Sequence, residues 1–447
     1  MDTLTPVLTD NWDADRSWTL ESYESRDGYG ALKTALGMAQ ADVITAVKDS
    51  GLRGRGGAGF PTGMKWGFIP QDNPNPKYLV VNADESEPGT CKDIPLMMAS
   101  PHTLLEGVII SSFAIRANHA FIYVRGEVLH VIRRLQHAVQ EAYLAGHLGK
   151  DINGSGYDLD IVVHAGAGAY ICGEETALLE SLEGQRGQPR PRPPFPPVNG
   201  LYGAPTQINN VSTIALVPKI IELGAAEFSK IGVPSAPGTA VFSLSGNVAE
   251  PGNYERPLGT PLRELIYDVA GGIAGGRELK AVIPGGSSVP VLTPAEIDTP
   301  MDYDSIQAAG SFFGSAAIVV VDDRCCMVQL ALRAEQFYMH ESCGKCTPCR
   351  VGTRWLVQLL TKIEEGRGDR SDLDLLEEVC DRMLGKSLCA LGDFAVYPVA
   401  SYLEKYRGEF EAHVDGHGCP FGGASSIEGT FAPIDQHAPN LAETVHA

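Results

Sequence analysis

The stretch that decides the fold reads Gly51-Leu-Arg-Gly-Arg-Gly-Gly-Ala-Gly-Phe60 and continues as Pro61-Thr-Gly-Met-Lys-Trp66. Gly54, Gly56 and Gly59 satisfy the spacing G-x-G-x-x-G, which lets a backbone approach a pyrophosphate with no Cβ in the way. Glycine supplies 50 of the 447 residues, so this match alone is weak evidence. The arginines and the lysine of the stretch add positive charge near its backbone N–H groups, which favours a phosphate-bearing ligand.

The residues before this loop argue against an ordinary dinucleotide-binding fold. That fold needs a strand immediately before the glycines and a helix immediately after them. Residues 42–50 instead carry Val43, Ile44 and Val47 at helical spacing. We therefore expect a helix before the loop, and a phosphate-bearing ligand held in some other arrangement.

The composition is that of a globular protein of several domains. The chain has 447 residues, of which 44% are hydrophobic and 20% charged, and this length exceeds one usual domain. A formal net charge of −20 argues against nucleic acid as a partner. No apolar run reaches the ~20 residues of a membrane helix, and the N-terminus has no targeting pattern. A cytoplasmic location is expected, where ten cysteines are thiols or metal ligands rather than disulfides.

Strands and helices alternate after the glycine loop. We predict strands over 77–82, 120–125 and 157–164, and helices that begin at 104 and cover 128–144 and 174–182. This alternation is typical of a parallel sheet covered by helices. Glu174 and Glu175 lie in the first turn of the last of these helices. They either bind a ligand or only compensate the helix dipole.

Changes of composition divide the chain into four parts. We predict an α/β domain with N-terminal helices over 1–237, an α+β domain over 238–322, a helical bundle over 323–421 and a flexible tail over 422–447. The bundle helices are expected at 325–340, 350–364, 372–383 and 391–406, and the second domain has a strand at 240–244 and a helix at 261–269. The proline-rich residues 189–197 indicate a rigid connector.

Six of the ten cysteines lie at or after Cys343. Three of them, Cys343, Cys346 and Cys349, form C-x₂-C-x₂-C. Cys389 lies in a break between helices and is the expected fourth ligand, whereas Cys380 lies within a helical run that favours burial. Three close cysteines and one remote one are typical of an iron–sulfur cluster, while a zinc site that recruits His340 and a chance arrangement are the alternatives. The others we expect to be structural: Cys91, Cys172, Cys325, Cys326 and Cys419.

Four motifs, in order, resemble the NADH-binding flavoprotein subunit of respiratory complex I, a family also called the F subunit or the 51-kDa subunit. They are residues 51–66, Asn82-Ala-Asp-Glu-Ser-Glu-Pro-Gly89, Gly168-Ala-Tyr-Ile-Cys-Gly-Glu-Glu-Thr-Ala-Leu178 and Glu341-Ser-Cys-Gly-Lys-Cys-Thr-Pro-Cys-Arg350. The resemblance extends from about residue 17 to about residue 413. It implies a Rossmann-like FMN and NADH domain, a ubiquitin-like β-grasp insert and a helical bundle that carries the cluster.

The resemblance also implies an activity and a setting. The family's activity is hydride transfer from NADH to FMN, followed by single-electron transfer to a [4Fe–4S] cluster and on toward quinone, within a proton-translocating complex. FMN is needed because NADH gives two electrons at once and a cluster accepts one. The implied partners are peripheral-arm subunits, especially a thioredoxin-like [2Fe–2S] subunit and the large iron–sulfur subunit. The implied place is the inner face of the plasma membrane, without insertion into it.

The family's functional residues map onto matching positions of this chain. The resemblance implies FMN contacts at Gly54, Arg55, Lys65, Asn82, Asp84, Glu85, Tyr170, Gly173, Glu174, Asn209 and Asn210. It implies NADH contacts at Gly56, Gly57, Phe60, Lys65, Phe68, Glu87, Glu175 and Arg192, and cluster ligands at Cys343, Cys346, Cys349 and Cys389. Glu87 and Glu175 are the expected catalytic residues, because they lie near the reacting pair and disfavour negative charge on the reduced flavin. Arg192 replaces the family's usual lysine. The charge is kept, but a planar guanidinium that can donate two parallel hydrogen bonds replaces a compact ammonium group.

Two other functions compete with this one. The flavin subunits of NAD-linked hydrogenases and formate dehydrogenases carry similar motifs, but they often have fused domains with extra cysteines, and this chain has no cysteine before Cys91. A zinc-stabilised nucleotide-binding or scaffold protein without redox activity is the alternative from another class.

Overall fold

The computed structural model describes residues 5–422 and residue 425. The predicted flexible tail, 422–447, therefore lies outside the described residues except for Gly422 and Ser425. The helices are α1 (Leu20–Glu24), α2 (Gly30–Leu36), α3 (Gln40–Asp49), α4 (Thr62–Trp66), α5 (Asp93–Ala99), α6 (Pro101–Ala114), α7 (Leu129–Leu144), α8 (Glu175–Leu182), α9 (Val211–Ala215), α10 (Val217–Leu223), α11 (Ala225–Phe228), α12 (Tyr303–Ala308), α13 (Met327–Glu341), α14 (Thr347–Glu364), α15 (Arg370–Met383), α16 (Leu391–Lys405) and α17 (Arg407–Asp415). The strands are β1 (Tyr78–Ala83), β2 (His119–Val124), β3 (Asp160–Ala165), β4 (Thr206–Asn210), β5 (Gly232–Val233), β6 (Ala236–Pro237), β7 (Thr239–Gly246), β8 (Gly252–Pro257), β9 (Leu279–Ile283) and β10 (Ala317–Asp322).

The first sheet is parallel throughout and has the order β3-β2-β1-β4. Its register places Val80 beside both Phe121 and Ile208. All four strands therefore end at the same edge, where the acidic turn after β1 and the asparagines that end β4 come together. Ligands of open parallel sheets bind at this carboxyl edge, so the predicted fold class is confirmed and its site side is defined.

Both faces of this sheet are covered, as a parallel sheet requires. Side chains alternate along β1, so Leu79 and Val81 join the large core on one face and Val80 joins a smaller apolar cluster on the other. Helix α6 lies in the large core and is buried along nearly its whole length. Helix α8 packs on the opposite face, in the cluster that also receives the cysteine loop.

The second domain is a four-stranded mixed sheet of order β8-β7-β10-β9. The central strands β7 and β10 are parallel to each other, and each has an antiparallel partner on its outer side. A one-turn π-helix, Glu264–Val269, packs Leu265 and Ile266 into the core of this domain. This arrangement of a mixed sheet with a helical crossing segment is the predicted β-grasp form.

The C-terminal region is a helical bundle formed by α13 to α17, and its core also takes in apolar residues of the second domain such as Ile283, Val291 and Val321. Four of these helices were predicted; α17 was not, because only Tyr406 separates it from α16 and the two apolar patterns run together. Within residues 5–422 and 425, no single helix combines the length and apolar character needed to cross a membrane. Helices α5 and α6 reach that length and composition only as a pair, and they meet at 101°.

Candidate functional site

The glycine loop connects α3 to α4, so a helix and not a strand precedes it, as the sequence predicts. Backbone hydrogen bonds close the loop, from Gly54 N to Phe60 O at 2.9 Å and from Thr62 N to Leu52 O at 2.8 Å. Gly57 has φ +120°, and a Cβ added there would meet no atom of the described chain within 4 Å. The loop therefore presents bare backbone to open space at this point.

The side chain of Arg55 is buried beneath the loop and does not lie on its open face. The side chain is 2% exposed, and its guanidinium donates to the carbonyl oxygens of Arg53 (2.9 Å), Pro237 (2.8 Å) and Thr239 (3.0 Å). Its backbone N–H donates to Thr213 Oγ1 at 2.8 Å. Arg55 thus joins the loop to the second domain, and its guanidinium is directed away from the open face that a phosphate would approach.

Lys65 of α4, Glu175 at the start of α8 and Arg192 form a chain of alternating charges. The space between this chain of charges and the glycine loop is called the cleft. Glu175 accepts from Lys65 Nζ through Oε2 (3.3 Å) and from Arg192 Nη1 through Oε1 (3.0 Å). Lys65 Nζ also donates to the carbonyl oxygen of Ile208 at 2.8 Å. These groups are partly exposed, so the pairs add little stability. They place two cations beside the loop where a phosphate or nicotinamide amide could compete for them.

Glu174, by contrast, is the N-cap of α8. Its Oε2 accepts from the backbone N–H groups of Thr176 and Ala177, both at 2.9 Å, and from Thr176 Oγ1 at 2.6 Å. Its Oε1 lies 3.8 Å from Arg192 Nη2. The helix therefore begins at Glu175, one residue later than predicted, and only one oxygen of Glu174 faces the cleft.

In the acidic turn after β1, the carboxylate of Glu85 binds backbone groups of the protein itself. Glu85 is buried, and it accepts from the N–H groups of Lys92 (2.8 Å), Asp93 (2.8 Å) and Ile94 (2.9 Å). It caps the first turn of α5, so its carboxylate is engaged by the protein itself. A flavin contact at Glu85 would have to use its backbone.

Glu87 lies where the three domains meet. Its Oε2 accepts from the hydroxyl of Tyr170 at 2.6 Å, and its Oε1 accepts from Ser288 N (2.9 Å) and Ser287 Oγ (3.2 Å). Burial raises the pKa of Glu87, while these donors oppose that shift. The carboxylate is thus held in one orientation at the mouth of the cleft.

Asp84 carries an unsatisfied oxygen. Its Oδ1 accepts from Ser86 Oγ at 2.9 Å, while Oδ2 is buried and has no hydrogen-bond partner among the described residues. Burial raises the pKa of Asp84 to about 7. Asn82 Nδ2 donates to the carbonyl oxygen of Gly173 at 2.8 Å, and a Cβ added at Gly173 would come no nearer than 3.7 Å to Asp84. A ligand that donates a hydrogen bond would satisfy Asp84.

The asparagines that end β4 hold the floor of the site. Asn209 Oδ1 accepts from Trp66 Nε1 at 3.0 Å, which ties α4 to the sheet. Asn210 caps α9 through Ser212 N (3.0 Å) and donates to Asp93 Oδ2 (2.6 Å). A Cβ on Gly56 would lie 2.9 Å from the Asn210 Cβ, so glycine is needed for this close approach.

Two exposed aromatic rings stand at the rim of the loop. Phe60 is 43% and Phe68 52% exposed, and their ring centroids are 6.0 Å apart at an interplanar angle of 50°. Large apolar side chains are costly to leave in water. The pair offers a stacking surface for a flat heterocycle.

The four predicted cluster cysteines lie around one apolar cluster. Gly344 adopts φ +73° in the turn, Cys346 is the N-cap of α14, and Cys389 lies in the bend before α16. Burial raises the pKa of Cys389 to about 12, and the neighbouring Cys343 and Cys349 add to that rise. Coordination of the thiolate by an iron–sulfur cluster would offset the cost of deprotonating this buried thiol. Cys380 is buried instead in the core of the bundle.

Tyr170 connects the acidic turn to this cysteine loop. Its hydroxyl bonds to Glu87 (2.6 Å), and its backbone N–H donates to Glu341 Oε2 (3.1 Å), two residues before Cys343. Its ring packs against the apolar cluster that also contacts Cys343, Cys346 and Cys389. One residue therefore spans the distance between the acidic turn and the cysteines.

Three site residues from the second domain escaped prediction. Ser287 and Ser288 hold Glu87, and Tyr303 donates from its hydroxyl to Gly54 O at 2.6 Å while Arg53 lies over its ring at 4.3 Å. They are about 200 to 250 residues away from their partners in sequence, and no local motif marks them. Only the packing of the two domains reveals them.

Three family models match separate parts of the chain. They are the Nuo51 FMN-binding domain over residues 47–219, the SLBB domain over 241–292 and the NADH-ubiquinone oxidoreductase-F iron-sulfur binding region over 329–413. Curated relatives match nearly the whole chain. The F subunit of NADH-quinone oxidoreductase from Streptomyces coelicolor is 59% identical over 95% of this chain and 94% of its own length. The Mycobacterium tuberculosis protein of that name is 60% identical over 94% and 95%.

A solved structure shares the architecture. A chain of an NAD⁺-reducing [NiFe]-hydrogenase, in its H₂-reduced state, superposes with a TM-score of 0.80 at 36% identity. The match covers 88% of this chain and 66% of the hydrogenase chain. This chain thus spans about two thirds of the length of that hydrogenase chain.

Proposed function

This chain belongs to the F-subunit family of the NADH-quinone oxidoreductases, and from that membership we propose that it oxidises NADH and delivers the electrons singly toward quinone. It carries FMN and a [4Fe–4S] cluster as cofactors. FMN supplies the chemistry that joins a two-electron donor to a one-electron acceptor. The chain's residues bind and orient the nucleotides and keep the two cofactors close.

The position of Tyr170 is the observation that carries this proposal. The residue touches Glu87 on the nucleotide side and packs with the cysteines on the other. A carrier bound against the acidic turn would lie within one side chain of the cluster. This proximity is what electron transfer between the two cofactors needs, and a scaffold protein would have no use for it.

The residues present fit FMN. Asp84 has a buried oxygen that lacks a donor among the described residues, and the backbone at Gly57 is open to a ligand. We assign the FMN site to the residues named for it from the sequence, with the carboxylate of Asp84 and the cation of Lys65 as the polar contacts. Arg55, Glu85, Asn209 and Asn210 would act mainly by holding the site's backbone, since their side chains bond to the protein.

NADH fits the open side of the same loop. We propose that its adenine stacks on Phe60 and Phe68, and that Glu87 accepts a hydrogen bond from a ribose. Backbone N–H groups at Gly56 and Gly57 and the cations of Lys65 and Arg192 would meet its phosphates. Glu175, which both cations hold in place, would face the nicotinamide.

The division of the chain supports a role inside a larger assembly. We propose the domain bounds 1–237, 238–322 and 323–421, with a tail over 422–447, because each of the first three ranges has an apolar core largely its own. As a subunit of NADH-quinone oxidoreductase it has other subunits of that complex as partners. We further propose that these include a thioredoxin-like [2Fe–2S] subunit and the large iron–sulfur subunit, and that the complex holds this chain at the inner face of the plasma membrane.

The alternative is the NAD-reactive flavin subunit of a hydrogenase or formate dehydrogenase. The hydrogenase relationship is real but more distant, at 36% identity against 59–60% for the F-subunit relatives. Co-purification of this chain from its native membrane with hydrogenase or formate dehydrogenase subunits, in place of quinone-reducing ones, would establish the alternative.

The test uses the full chain reconstituted anaerobically with FMN, iron and sulfide. We expect a yellow-brown protein with about one FMN and four irons per chain, which reduces ferricyanide with NADH and shows a reduced-cluster EPR signal. A colourless protein that takes up neither flavin nor iron would refute the proposal.

A further inference from the structure

A second set of metal-ligating groups lies at the far end of the helical bundle. It consists of Cys326, Glu364, His413 and Cys419, whose ligand atoms all lie within 4.8 Å of one another. Among residues 5–422 and 425, this is the one group of His, Cys, Asp and Glu side chains that converges so closely. None of the four is among the proposed cluster ligands.

Four separate segments bring these residues together. Cys326 is the N-cap of α13, Glu364 is the last residue of α14, His413 lies near the end of α17 and Cys419 follows that helix. Along α14, Cys349 and Glu364 are separated by about 22 Å at the usual helical rise. The second set is therefore distinct from the cysteine loop, at the opposite end of the same helix.

The distances within the set suit one small ion. Cys326 Sγ lies 3.3 Å from His413 Nε2, and this nitrogen lies 3.2 Å from Glu364 Oε2. Bond lengths of ~2.3 Å to sulfur and ~2.0–2.2 Å to nitrogen and oxygen give tetrahedral edges of roughly 3.3–3.8 Å. The site thus needs only small adjustments to close around zinc.

The hydrogen bond at His413 Nδ1 leaves Nε2 free to act as a metal ligand. His413 Nδ1 lies 2.7 Å from the carbonyl oxygen of Glu409, which can only accept, so Nδ1 carries the proton. In the neutral ring, Nε2 then directs a lone pair toward Glu364 Oε2, another acceptor. Glu364 Oε2 is buried and lacks a hydrogen-bond donor among the described residues. Without a metal, Nε2 can accept from the Cys326 thiol at 3.3 Å or take up a second proton, whereas a cation would bind Nε2, Oε2 and both sulfurs at once.

The surrounding groups orient the other ligands. Gln329 donates from Nε2 to Glu364 Oε1 at 2.7 Å and approaches Cys419 Sγ at 3.7 Å, and its backbone N–H donates to Cys326 Sγ at 3.5 Å. Such outer donors fix the ligands of metal sites and raise their affinity. A salt bridge between imidazolium and carboxylate would explain the histidine and the glutamate, but it leaves the two converging sulfurs unexplained.

We propose that Cys326, Glu364, His413 and Cys419 bind a structural Zn²⁺. Two thiolates, one imidazole and one carboxylate make a closed four-ligand set, and sulfur ligands select zinc over calcium or magnesium. The ion joins the segment after α17 to the start of α13, so it fixes the C-terminal end of the bundle. Zinc does not change oxidation state, so this site takes no part in electron transfer.

The test is metal analysis of the full chain carrying FMN and its cluster, after addition of one equivalent of Zn²⁺ and desalting. We expect about one zinc and four irons per chain, with zinc X-ray absorption that shows two sulfurs at ~2.3 Å and two lighter ligands at ~2.0–2.2 Å. Cys419→Ser and His413→Gln should each lower zinc at least fivefold and keep the iron. Chelation should lower the Tm of the wild type and leave that of Cys419→Ser unchanged.

Two matched controls separate this site from the cluster. Cys380→Ser alters another buried cysteine of the bundle and should keep both metals, while Cys389→Ser should lose iron and keep zinc. Loss of zinc in Cys389→Ser would show that zinc occupies the cluster site, and it would overturn the proposal. A wild type that retains no zinc, or a Cys326–Cys419 disulfide found by mass spectrometry in the anaerobic protein, would overturn it too. If Cys419→Ser does not fold, Glu364→Gln at the helix end provides the second variant.

Discussion

Replacing Glu87 by glutamine changes the charge at the mouth of the nucleotide cleft and very little else. The three present hydrogen bonds come from Tyr170 Oη (2.6 Å), Ser288 N (2.9 Å) and Ser287 Oγ (3.2 Å). The glutamine carbonyl can keep the bonds from the serines, and the Tyr170 hydroxyl can rotate to accept from the new amide. The variant should therefore fold with the same backbone.

The expected loss is in NADH affinity. A hydrogen bond to a charged acceptor contributes ~1.5–3 kcal/mol and a neutral one ~0.5–1.5 kcal/mol, so each bond from a ribose hydroxyl should weaken by about 1 kcal/mol. The three present bonds leave about one of the carboxylate's four acceptor positions free, so one ribose bond is expected and its weakening gives roughly a fivefold increase in Kd. The effect should appear in anaerobic equilibrium titration of the FMN-loaded chain with NADH.

The pH dependence supplies an independent signature. Burial raises the pKa of Glu87, and the protonated form is neutral, so it accepts a ribose bond more weakly than the carboxylate does. NADH affinity of the wild type should thus fall as the pH is lowered through this raised pKa, beginning at a higher pH than an exposed glutamate would show. Glu87→Gln does not titrate, so this limb of the profile should be absent from it.

Glu85→Gln is the matched control, because it removes the same charge two residues away. Its carboxylate caps α5 through three backbone N–H groups, so the variant should lose about 1–2 kcal/mol of stability and bind FMN and NADH as the wild type does. An unchanged Kd in Glu87→Gln, or equal losses in both variants, would refute the role assigned to Glu87.

Three further predictions concern the cluster, the loop and the flavin site. Cys389→Ser should abolish the reduced-cluster EPR signal and Cys380→Ser should preserve it; the reverse pattern would move the fourth ligand. Arg55→Met leaves three carbonyl oxygens, two of them in buried hydrogen bonds, without their donor and should cost about 3 kcal/mol, seen as a lower Tm, whereas an unchanged Tm would contradict its structural role. Burial raises the pKa of Asp84 from 3.8 to about 7 in the folded FMN-free chain. The folded state therefore holds its proton more tightly than the unfolded state, and the free energy of unfolding should fall by up to about 4 kcal/mol as the pH rises between these values. Asp84→Asn should remove that loss, so that it exceeds the wild type in Tm at pH 8 and matches it near pH 4; equal melting at both pH values would count against the raised pKa.

The fold was predictable where the signal is local. The helix before the glycine loop and the parallel strands follow from apolar spacing within ten or so residues, and the structure contains both. Cys389 was preferred to Cys380 as the fourth ligand because the sequence around Cys389 breaks the helical pattern. The structure places Cys389 in a bend and Cys380 at a buried position of α15.

The tasks of individual charged residues were not predictable in the same way. Arg55 and Glu85 stand inside motifs that suggest ligand binding, yet their side chains bond to the chain's own backbone. Two partners of Arg55, Pro237 and Thr239 at the boundary of the first and second domains, lie more than 180 residues away, so no spacing rule could reveal them. Cys326 and Cys419 were treated as isolated structural cysteines for the same reason, because 93 residues separate them and only the bundle brings them together.

The second domain shapes the nucleotide site, although its sequence offers no catalytic motif. Its backbone N–H at Ser288 holds Glu87, and its Tyr303 hydroxyl holds Gly54 O, so it supports the acidic turn and the glycine loop at once. Gly286 adopts φ +93°, and a Cβ there would lie 2.6 Å from the Glu87 Cγ, which leaves glycine as the residue that permits this contact. Since loop and turn are both braced from one domain, a shift of that domain would displace the two nucleotide-binding elements together. We therefore expect the β-grasp insert to position the proposed nucleotide site, on whose geometry hydride transfer would depend.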